Sequence, residues 1–552
     1  MADEELLFLP LGGAGEIGMN LNLYGYGKPG NPTWMMVDLG ITFGDGTHPG
    51  VDVIMPDPAY IEKHKDKLAG IVLTHAHEDH LGAVPYLWER FGCPIYATPF
   101  TVSIVQRKLA EVGLLDIVPI VEVPLNGSFQ VGPFEIDLIT LTHSIPEPNG
   151  MAIRTPLGTV LHTGDWKLDP DPVIGEPYDM PALRKLGDDG VLAIVCDSTN
   201  VFTPGTSGSE GDIYESMKKV VEGCEGRVVV TCFASNVARL DTISKVAKAV
   251  GREVVLAGRS FWRMIDAAKE NGYLQDAPNF LDEDYFGDIP KDKVLLICTG
   301  SQGEARAALA RIAADEHPRI YLNSGDTVIF SSRQIPGNEV TIGRLQNRLV
   351  RRGINLVTDK DAFIHVSGHP ARDELLEMYQ AVKPQISIPV HGEMRHLTEH
   401  AKLAHSAQVK ETVINENGGM IRIAPGPAAV NEQVPSGRLA FEGGRVVPLD
   451  GELVRGRARA LWNGSATITM VIDKVGNVKG DPILTTSGLL DTGDFEYEDD
   501  VLDAAEDAVE RLSKKDLRKD DLVAEAVRMA VRRYFRNTFN KNAVTSVHLV
   551  RV

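Results

Sequence analysis

Four residues of types that bind metal ions lie close together in the segment IVLTHAHEDHLGAVPYLW at 71–88: His75, His77, Asp79 and His80. Two imidazoles that are two positions apart on an extended chain can face one ion, and a carboxylate and an imidazole at the start of a following helix can reach a second ion beside it. A solvated histidine-rich loop is the alternative, but loop composition alone rarely concentrates ligands in this way. The segment therefore predicts a metal site.

Two further ligand candidates each follow a run that is typical of a strand. His143 closes FEIDLITLTH, and Asp165 follows GTVLHTG. Imidazole and carboxylate ligands supplied from several strand ends are how a preorganised two-metal hydrolase is built, with the ions roughly 3.5–4 Å apart. His162 lies on the strand before Asp165, and we expect it to be a hydrogen-bonded structural histidine rather than a ligand.

The last ligand candidate lies far along the chain. His391 stands in ISIPVHGEMRH, more than two hundred residues after Asp165. The intervening sequence alternates between strand-like and helix-like segments, from RVVVTCF and NVARLDTISKVAKAV to TVIFSS and TIGRLQNRLVRRG. This alternation is typical of a parallel or mostly parallel α/β domain. The sequence thus predicts a whole domain inserted into a hydrolase.

These motifs resemble those of known families. HxHxDH, a later lone histidine and a GD pair at a strand end resemble the metallo-β-lactamase superfamily, whose fold alone does not choose a reaction. The insertion, HVSGH at 365–369, PVHGEMRH at 389–396 and the acidic residue Asp197 in IVCDSTN resemble the β-CASP nucleases. The chain also resembles the ribonuclease J family over nearly its whole length, on the motifs GGAGEIGMN, CDSTNVFTPG, CFASNVAR, TGSQGE, SSRQIPGNE and SVHLVRV.

The resemblance implies an α/β fold, in which a metallo-β-lactamase αββα sandwich carries an inserted α/β β-CASP domain and a small C-terminal α+β domain. We expect the hydrolase domain at 1–207 and 355–448, with the β-CASP domain at 208–354. A linker at 449–459 leads to the C-terminal domain at 460–552, which reads as a β-hairpin, helices and a last strand.

The ligand candidates form two sets that share one member. The sets are His75, His77 and His143 for one ion and Asp79, His80 and His391 for the other, with Asp165 between them. Imidazoles with carboxylates suit zinc, so we expect two zinc ions per chain, although manganese or magnesium is chemically compatible with these ligands. Such ions lower the pKa of an attacking water and neutralise charge on phosphate oxygens.

By resemblance, His369 is the general acid or the transition-state stabiliser for the leaving 3′ oxygen, a role that suits an imidazole titrating near neutrality. Asp38, at the end of the strand WMMVDLG, corresponds to the superfamily's early aspartate, which helps to orient the ligands or the active water. Asp79 and Asp197 complete the expected catalytic set.

The resemblance also implies where RNA binds. The expected contact residues are Phe233, Ala234 and Ser235 in CFASN and His365, Val366, Ser367, Gly368 and His369 in HVSGH. The second motif offers hydroxyl, imidazole and backbone N–H groups to a phosphate, and its glycine allows close approach. Phe233 can stack on a base, whereas sequence alone favours core packing at a strand end. The implied activity is 5′-to-3′ exonucleolysis of 5′-monophosphorylated RNA, alongside endonucleolytic cuts, in RNA maturation and decay.

A glycine-rich motif near the start places Gly13, Gly15 and Gly18 in a GxGxxG pattern. A dinucleotide site requires a helix directly after the glycines. Here MNLNLYGYG alternates with period two and WMMVDLG follows a turn, so the segment predicts a hairpin and not a nucleotide site. Elsewhere, the Gly50 carbonyl with Asp52 and Glu442 resembles the family's oxygen-ligand calcium site, although the family usually carries aspartate at the last position.

The formal net charge of −20 is a poor fit to a nucleic-acid substrate, because phosphate binding normally leaves a basic footprint. The distribution of charge matters more than the sum. Residues 227–263 hold seven basic and two acidic residues, and a second basic cluster follows in the same expected domain, at Arg344, Arg348, Arg351 and Arg352. These clusters are either solvated charged faces or an RNA path.

Five cysteines are scattered without CxxC pairs and read as reduced residues. The sequence has no apolar run long enough to span a bilayer, and the acidic start MADEE lacks the features of a signal peptide. We therefore expect a cytoplasmic protein with no membrane partner.

Three alternatives to an RNA-cleaving enzyme remain open. A β-CASP enzyme acting on DNA would have the same metal ligands and the same inserted domain. A small-molecule metallohydrolase would share only the metal ligands. An RNA-binding scaffold with an inactive site would lack some of these ligands. The late His391 and the HVSGH motif count against the second, and the full ligand set counts against the third. As partners we expect an RNA substrate and further copies of the chain in a homodimer or homotetramer, while the sequence names no partner in an RNA-degradation complex.

Overall fold

The computed structural model describes residues 4–44, 46–335 and 337–552. The chain divides into two compact units. The larger unit comprises Met1–Phe43 and Val53–Leu439, and the smaller comprises Gly44–Asp52 and Ala440–Val552. Within the described residues, none of the helices combines the length and the apolar character that crossing a membrane requires.

Two mixed sheets pack face to face in the larger unit. The first has eight strands in the spatial order Ala429–Gln433, Gly419–Ala424, Glu5–Gly12, Leu21–Lys28, Asn31–Val37, Leu68–Val72, Ile95–Ala97 and Ile120–Glu122. The second has seven, in the order Ser128–Val131, Phe134–Thr140, Asn149–Thr155, Gly158–His162, Ala193–Asp197, Ile386–Val390 and Glu411–Thr412. Apolar side chains of both sheets, such as Phe8, Met35, Ile136 and Ile388, share one buried core.

Helices cover the outer face of the seven-stranded sheet. Leu183 of helix Met180–Asp189 and Leu375 of helix Arg372–Val382 pack in one buried cluster with Ile194 of the sheet. The other helices of this region are Ala59–Glu62, Glu78–Leu81, Val84–Leu87, Pro99–Glu111 and Met394–Ser406, with 3₁₀ turns at Lys65–Lys67 and Trp88–Arg90. Short strands pair at Ala14–Gly15 with Gly392–Glu393 and at Thr42–Phe43 with Val53–Pro56. Two packed sheets with outer helices confirm the predicted sandwich.

The inserted part is a parallel sheet of six strands, in the order Phe280–Asp282, Glu253–Ala257, Val294–Cys298, Val228–Thr231, Thr327–Phe330 and Asn355–Val357. Its helices are Ile213–Glu222, Val237–Ala249, Arg259–Glu270, Ala308–Ala313 and Glu339–Arg351, with 3₁₀ turns at Glu283–Tyr285 and Lys291–Lys293. The central strands are wholly buried, as expected of parallel strands that are covered on both faces. The sequence predicts that this domain ends at 354, just before its last strand, Asn355–Val357. That domain boundary stays a prediction.

The insertion separates two strands that are neighbours in space. Ala193–Asp197 pairs in parallel with Ile386–Val390, and Asp197 lies opposite Val390. Parallel neighbours end at the same edge of a sheet and need a crossover connection between them. The whole inserted sheet is part of that crossover, and Asp197 and His391 meet at one edge.

In the smaller unit, Ser465–Ile472 is the middle strand of three, antiparallel to Ile483–Ser487 and parallel to Val544–Arg551. Its buried residues alternate with half-buried ones, and the buried side pairs with helices Phe495–Glu510 and Asp520–Phe539 in one core. The predicted hairpin, helices and final strand are therefore present. Strands Arg438–Glu442 and Arg445–Pro448 and helix Glu452–Asn463 precede them. This helix covers most of the stretch predicted to be a linker, because its Leu, Arg and Ala residues favour helix despite the nearby glycines.

Phe535 and Met529 on helix Asp520–Phe539 provide a matched pair for testing this core. Phe535 is fully buried, whereas Met529 is 46% exposed. Phe535→Ala is expected to lower the free energy of unfolding by about 3–5 kcal/mol, because it opens a cavity between helix and sheet. Met529→Ala is expected to change it by less than about 0.5 kcal/mol. Denaturant unfolding followed by circular dichroism measures both, and equal effects would contradict the packing described.

Candidate metal centre and active site

The first ligand candidates leave the eight-stranded sheet at one edge. Strand Leu68–Val72 runs parallel to Asn31–Val37, with their last residues opposite each other, so Asp38 and His75 emerge side by side. Helix Glu78–Leu81 begins directly after His77 and carries the next two candidates. The local fold therefore concentrates this motif at a strand-to-helix turn, as the sequence predicted.

A first group of donor atoms comprises His75, His77, His143 and Asp165. Nδ1 of His77 lies 3.1 Å from Nε2 of His75 and 3.0 Å from Nε2 of His143. Oδ2 of Asp165 lies 4.0 Å and 3.9 Å from the same two Nε2 atoms. Nitrogen ligands about 2 Å from a common zinc ion are roughly 3–3.5 Å apart, so the three ring nitrogens fit one ion.

A second group comprises Asp79, His80, His391 and again Asp165. Oδ2 of Asp79 lies 3.7 Å from Nε2 of His80 and 3.2 Å from Nε2 of His391, and Nε2 of His80 lies 3.2 Å from Oδ2 of Asp165. Within each group the donor atoms are all within 4.8 Å of one another. Asp165 Oδ1 is buried and has no hydrogen-bond partner in the part of the chain that is described. A buried carboxylate oxygen in that position favours a bound cation.

Hydrogen bonds orient the rings of both groups. Nδ1 of His75 lies 3.0 Å from the Thr74 hydroxyl, and Nδ1 of His80 lies 2.7 Å from Oδ2 of Asp38. Nδ1 of His143 contacts the carbonyl oxygen of Gly368. A ring N–H that donates to a carboxylate or carbonyl fixes the tautomer and leaves Nε2 free for a metal ion. The residues present therefore fit divalent metal ions, with Asp38 as an orienting partner.

The charges of the centre favour bound cations. Burial lowers the pKa of His75 and of His143, so these rings are neutral at pH 7. Burial acts in the same direction on His80, but the neighbouring carboxylates outweigh it and raise the pKa of that ring. Burial alone would raise the pKa of Asp165, yet His391 and His80 hold it well below its usual range. The carboxylates thus stay ionised and stabilise positive charge beside them.

The glycine-rich motif supports the last ligand candidate. The backbone N–H of His391 donates to the Gly13 carbonyl at 2.6 Å, and its Nδ1 lies 2.8 Å from the Thr199 hydroxyl. His391 has a φ of 52°, a left-handed conformation that costs energy for a non-glycine residue and persists only where its surroundings impose it. Strand Leu21–Lys28 follows the glycines and forms the predicted hairpin, so the segment is not a dinucleotide site.

His369 and Asp197 form a pair beside the second group, and with Asp165 and His391 they make a third cluster whose donor atoms lie within 4.8 Å of one another. Nδ1 of His369 lies 2.8 Å from Oδ2 of Asp197, while Oδ1 of Asp197 accepts hydrogen bonds from the N–H and hydroxyl of Thr199. Burial lowers the pKa of His369, but Asp197 and Asp165 outweigh it and raise the pKa. The ring can therefore carry a proton near neutrality, with Nε2 left for a substrate atom.

Asn200 anchors the HVSGH loop at 365–369 through two hydrogen bonds. Nδ2 of Asn200 donates to the Ser367 hydroxyl at 2.6 Å and to the His369 carbonyl at 3.0 Å. A Cβ atom on Gly368 would lie 2.7 Å from Cε1 of His143, so the glycine makes room for this ring and not only, as predicted, for substrate. Val366 is buried, which leaves its backbone as the part able to bind.

The expected contact residues 233–235 lie in the loop between strand Val228–Thr231 and helix Val237–Ala249. Phe233 is 37% exposed, so the alternative that it packs in the core is wrong. Ala234 and Ser235 are half-buried.

Sequence reasoning missed the side chains that hold the candidates in place. Thr74, Thr199 and Asn200 make the hydrogen bonds described above. Their signal in the sequence was position alone: Thr74 directly precedes His75 in LTHAH, and Thr199 and Asn200 closely follow Asp197 in CDSTN. A hydroxyl next to a ligand is too common in sequences to be read as a contact without coordinates.

Three arginines of the first basic cluster are internal, whereas Lys245, Lys248 and Arg259 are exposed. Arg227, Arg239 and Arg252 are buried, and Arg227 lies against the rings of Phe286 and Tyr321. These three arginines stabilise the inserted domain and cannot line an RNA path, while the exposed basic residues of 227–263 leave that expectation open. In the second cluster Arg344, Arg348 and Arg351 are exposed, whereas Arg352 donates to the carbonyls of Ile312 and Leu322.

At the expected calcium site the structure has a salt bridge between Glu442 and Arg457. Both carboxylate oxygens of Glu442 accept from Arg457, at 2.9 Å and 2.8 Å, and the same guanidinium donates to the Pro49 carbonyl. A Cβ atom on Gly50 would lie 2.7 Å from its Nη1. An arginine side chain therefore supplies the positive charge expected from calcium between Gly50 and Glu442.

The metal assignment is tested by a pair of buried histidines. His162 lies outside the donor groups, and its Nδ1 lies 3.0 Å from the Tyr24 hydroxyl, as expected of a structural histidine. His143→Ala is expected to remove about one equivalent of bound metal per chain, because it takes one of three imidazoles from the first group. His162→Gln is expected to keep the wild-type content. Plasma mass spectrometry of the purified proteins measures both, and equal metal loss would contradict the ligand set.

Family models match four stretches of the chain. They are "Beta-lactamase superfamily domain" at 47–183, "Ribonuclease J, beta-CASP domain" at 225–349, "Zn-dependent metallo-hydrolase RNA specificity domain" at 353–415 and "Ribonuclease J C-terminal domain" at 453–552. A solved structure of a protein of unknown function from Enterococcus faecalis V583 has a TM-score of 0.52 and 15% identity, covering 76% of this chain and 100% of that one. This likeness concerns the fold alone.

Curated relatives match along all or most of the chain. Ribonuclease J of Sinorhizobium meliloti is 45% identical over 100% of this chain and 98% of its own length. Ribonuclease J of Mycolicibacterium smegmatis is 39% identical over 96% of this chain and 94% of its own, and that of Thermus thermophilus is 36% identical over 84% and 81%. With its buried cluster of His and Asp side chains and its inserted sheet, the chain belongs to the ribonuclease J family.

Proposed function

We propose that this protein is a two-metal ribonuclease that degrades 5′-monophosphorylated RNA in the 5′-to-3′ direction and also cuts RNA internally, in RNA maturation and decay. The observation that carries the proposal is the pair of donor groups joined at Asp165, with His369 and Asp197 beside them. The full-length relatives are named ribonuclease J. The match to an RNA specificity domain covers 353–415, which includes both the HVSGH loop and His391.

The proposed metal ligands are the two sets given by the sequence, His75, His77 and His143 on one side and Asp79, His80 and His391 on the other, with Asp165 shared. Zinc is the proposed ion, since imidazole-rich sets suit it, and manganese or magnesium are the competing choices. When bound, the ions lower the pKa of a water molecule and neutralise charge that builds on the phosphate oxygens.

The side chains of the chain supply the remaining chemistry. His369 donates a proton from Nε2 to the leaving 3′ oxygen, and Asp197 holds the other ring nitrogen and stabilises the positive ring. Asp38 keeps His80 in one orientation. The Ser367 hydroxyl and the backbone N–H groups of 365–369 bind the terminal phosphate. Phe233, exposed in the loop before helix Val237–Ala249, stacks on a base in a sequence-tolerant manner.

Two further parts of the proposal concern the state of the protein. The five cysteines are free, which suits a reducing compartment and a cytoplasmic location. Self-association as a homodimer or homotetramer is proposed because large apolar side chains of the smaller unit, such as Trp462 at 73% exposure, lie on its surface.

The role of His369 is tested by His369→Gln. We expect kcat to fall by about 10²–10⁴-fold, because the proton for the leaving oxygen is lost, while bound metal stays at the wild-type level. His405→Gln, on helix Met394–Ser406 and outside the donor groups, is the control and should keep full kcat. Steady-state kinetics measure kcat, and metal analysis measures the bound metal of each variant. A parallel loss of metal in His369→Gln would show that His369 is a metal ligand and not the proton donor.

Substrate choice is tested with end-labelled oligonucleotides of one sequence. RNA with a 5′ monophosphate should be degraded to mononucleotides, and RNA with a 5′ triphosphate or 5′ hydroxyl should be degraded processively more slowly, because the pocket fits one terminal phosphate. Matched 5′-monophosphate DNA should resist. Equal attack on DNA would favour a DNA-processing enzyme. If the protein cleaved neither RNA nor DNA but hydrolysed a lactam or a thioester, a small-molecule hydrolase would be favoured.

Sedimentation velocity tests the association. The chain has a mass of 60.1 kDa, and we expect a single species of two or four times that mass at micromolar concentration. A species of the monomer mass alone would contradict this part of the proposal and leave the catalytic part standing.

A further inference from the structure

We infer that Arg239 is a positioning residue that fixes the phosphate-binding loop at 365–369 relative to the metal centre. The inference rests on the proposed function, because it deepens the role of that loop. Arg239 is fully buried in the first turn of helix Val237–Ala249. A buried guanidinium is retained only where its charge and its N–H groups are all matched, so its partners indicate what it holds together.

The partners belong to segments that are far apart in sequence. Nε and Nη2 of Arg239 donate to the two carboxylate oxygens of Glu210, at 2.5 Å and 2.9 Å. Nη1 donates to the carbonyl and hydroxyl of Ser331, at 2.9 Å and 2.7 Å, and to the carbonyl of Ile364 at 3.1 Å. Ile364 directly precedes His365. One planar group of five N–H donors thus ties the start of the HVSGH loop to the inserted sheet.

The other expected contact stretch leads directly into the same helix. The side chain of Asn236 accepts from the backbone N–H of Arg239 at 2.8 Å and caps the helix. Residues 233–235 come directly before this cap. Arg239 therefore connects the loop that contains Phe233 with the loop that contains Ser367.

From Glu210 the polar contacts continue to the metal centre. The N–H of Glu210 donates to Oδ2 of Asp169 at 2.9 Å, and the same oxygen lies 2.8 Å from Nζ of Lys167. The N–H of Asp169 donates to the hydroxyl of Thr142 at 2.9 Å, and that hydroxyl donates to the carbonyl of Lys167. Thr142 precedes His143, and Lys167 follows Asp165 by two positions. A buried polar chain therefore runs from two ligand candidates to the phosphate loop.

This chain sets the distance between the pocket for the terminal phosphate and the reacting centre. An enzyme that removes residues from a phosphorylated end needs that distance fixed, because misplacement by an ångström costs rate steeply. Arg239 has no expected contact with substrate, so it acts through the loops. Loosening it should harm substrates that use both sites more than a substrate that needs the metal centre alone.

The test compares Arg239→Lys with Arg252→Lys. Arg252 is also buried in the inserted part and donates to the carbonyls of Gly226, Val294 and Cys224, so it matches Arg239 in setting but lies outside this polar chain. Three substrates are used with zinc or manganese present: a 5′-monophosphate oligoribonucleotide, the same RNA with a 5′ hydroxyl, and bis(p-nitrophenyl) phosphate. Circular dichroism melting checks that each variant is folded.

For Arg239→Lys we expect kcat/KM on the monophosphate RNA to fall by about 10–100-fold, mainly through KM, and the preference over 5′-hydroxyl RNA to shrink. Hydrolysis of the small phosphodiester should stay within about threefold of wild type. Arg252→Lys should leave all three activities and the preference unchanged. The double variant Arg239→Gln with Glu210→Gln removes both buried charges together, and it should show the same loss of preference even where the lysine variant folds poorly.

The outcomes separate the inference from the proposed function. An equal loss on bis(p-nitrophenyl) phosphate would overturn the inference, because it would place Arg239 in the support of the metal centre or of the whole fold. An unchanged preference in folded Arg239 variants would overturn it as well. A wild type that does not prefer the monophosphate end would overturn the proposed function itself.

Discussion

The buried carboxylate of Asp165 is the point on which the rest of the structure depends. Both proposed metal groups and the cluster of His369, Asp197 and His391 contain it. The rings within about 4 Å of its oxygens are those of His75, His80, His143, His369 and His391. A carboxylate taken out of water costs several kcal/mol unless cations and hydrogen bonds surround it. The fold therefore has to bring strand ends from both sheets to one edge, because no single segment could supply so many partners.

Convergence alone does not make a usable site, since each ring has two nitrogens and must present the correct one. Asp38 contacts Nδ1 of His80, and the Gly368 carbonyl contacts Nδ1 of His143. The backbone N–H of His391 donates to the Gly13 carbonyl, which helps to keep His391 in its left-handed conformation. These contacts come from the first hairpin and from the HVSGH loop. The glycine of the HVSGH loop is thus explained by the ligand candidate that approaches it, because a Cβ atom on Gly368 would lie 2.7 Å from Cε1 of His143.

Ligand candidates, inserted sheet and sandwich could be predicted because metal ligands at strand ends leave a local pattern: an apolar run followed by His or Asp. The features that could not be predicted depend on burial or on pairing at a distance. Arg227 and Arg252 look like a basic surface in sequence, yet lie inside the inserted domain. Glu442 looks like a calcium ligand until Arg457, fifteen positions on, is found on its carboxylate. Phe233 is the reverse case, since an apolar residue after a strand is usually buried but is exposed here.

The insertion itself follows from the register of the sheet. Strands Ala193–Asp197 and Ile386–Val390 are parallel neighbours, so some crossover had to join them, and its length was free to grow. The crossover leaves the metal-bearing edge after Asp197 and enters the next strand at Ile386, on the opposite edge. The loop 365–369 comes before helix Arg372–Val382 and lies beside the ligand candidates, as the contacts of Gly368 with His143 and of His369 with Asp197 show. A domain placed there can shape substrate access without altering a ligand. Its orientation must then be specified by buried polar contacts, because apolar packing alone tolerates small shifts that directional hydrogen bonds do not.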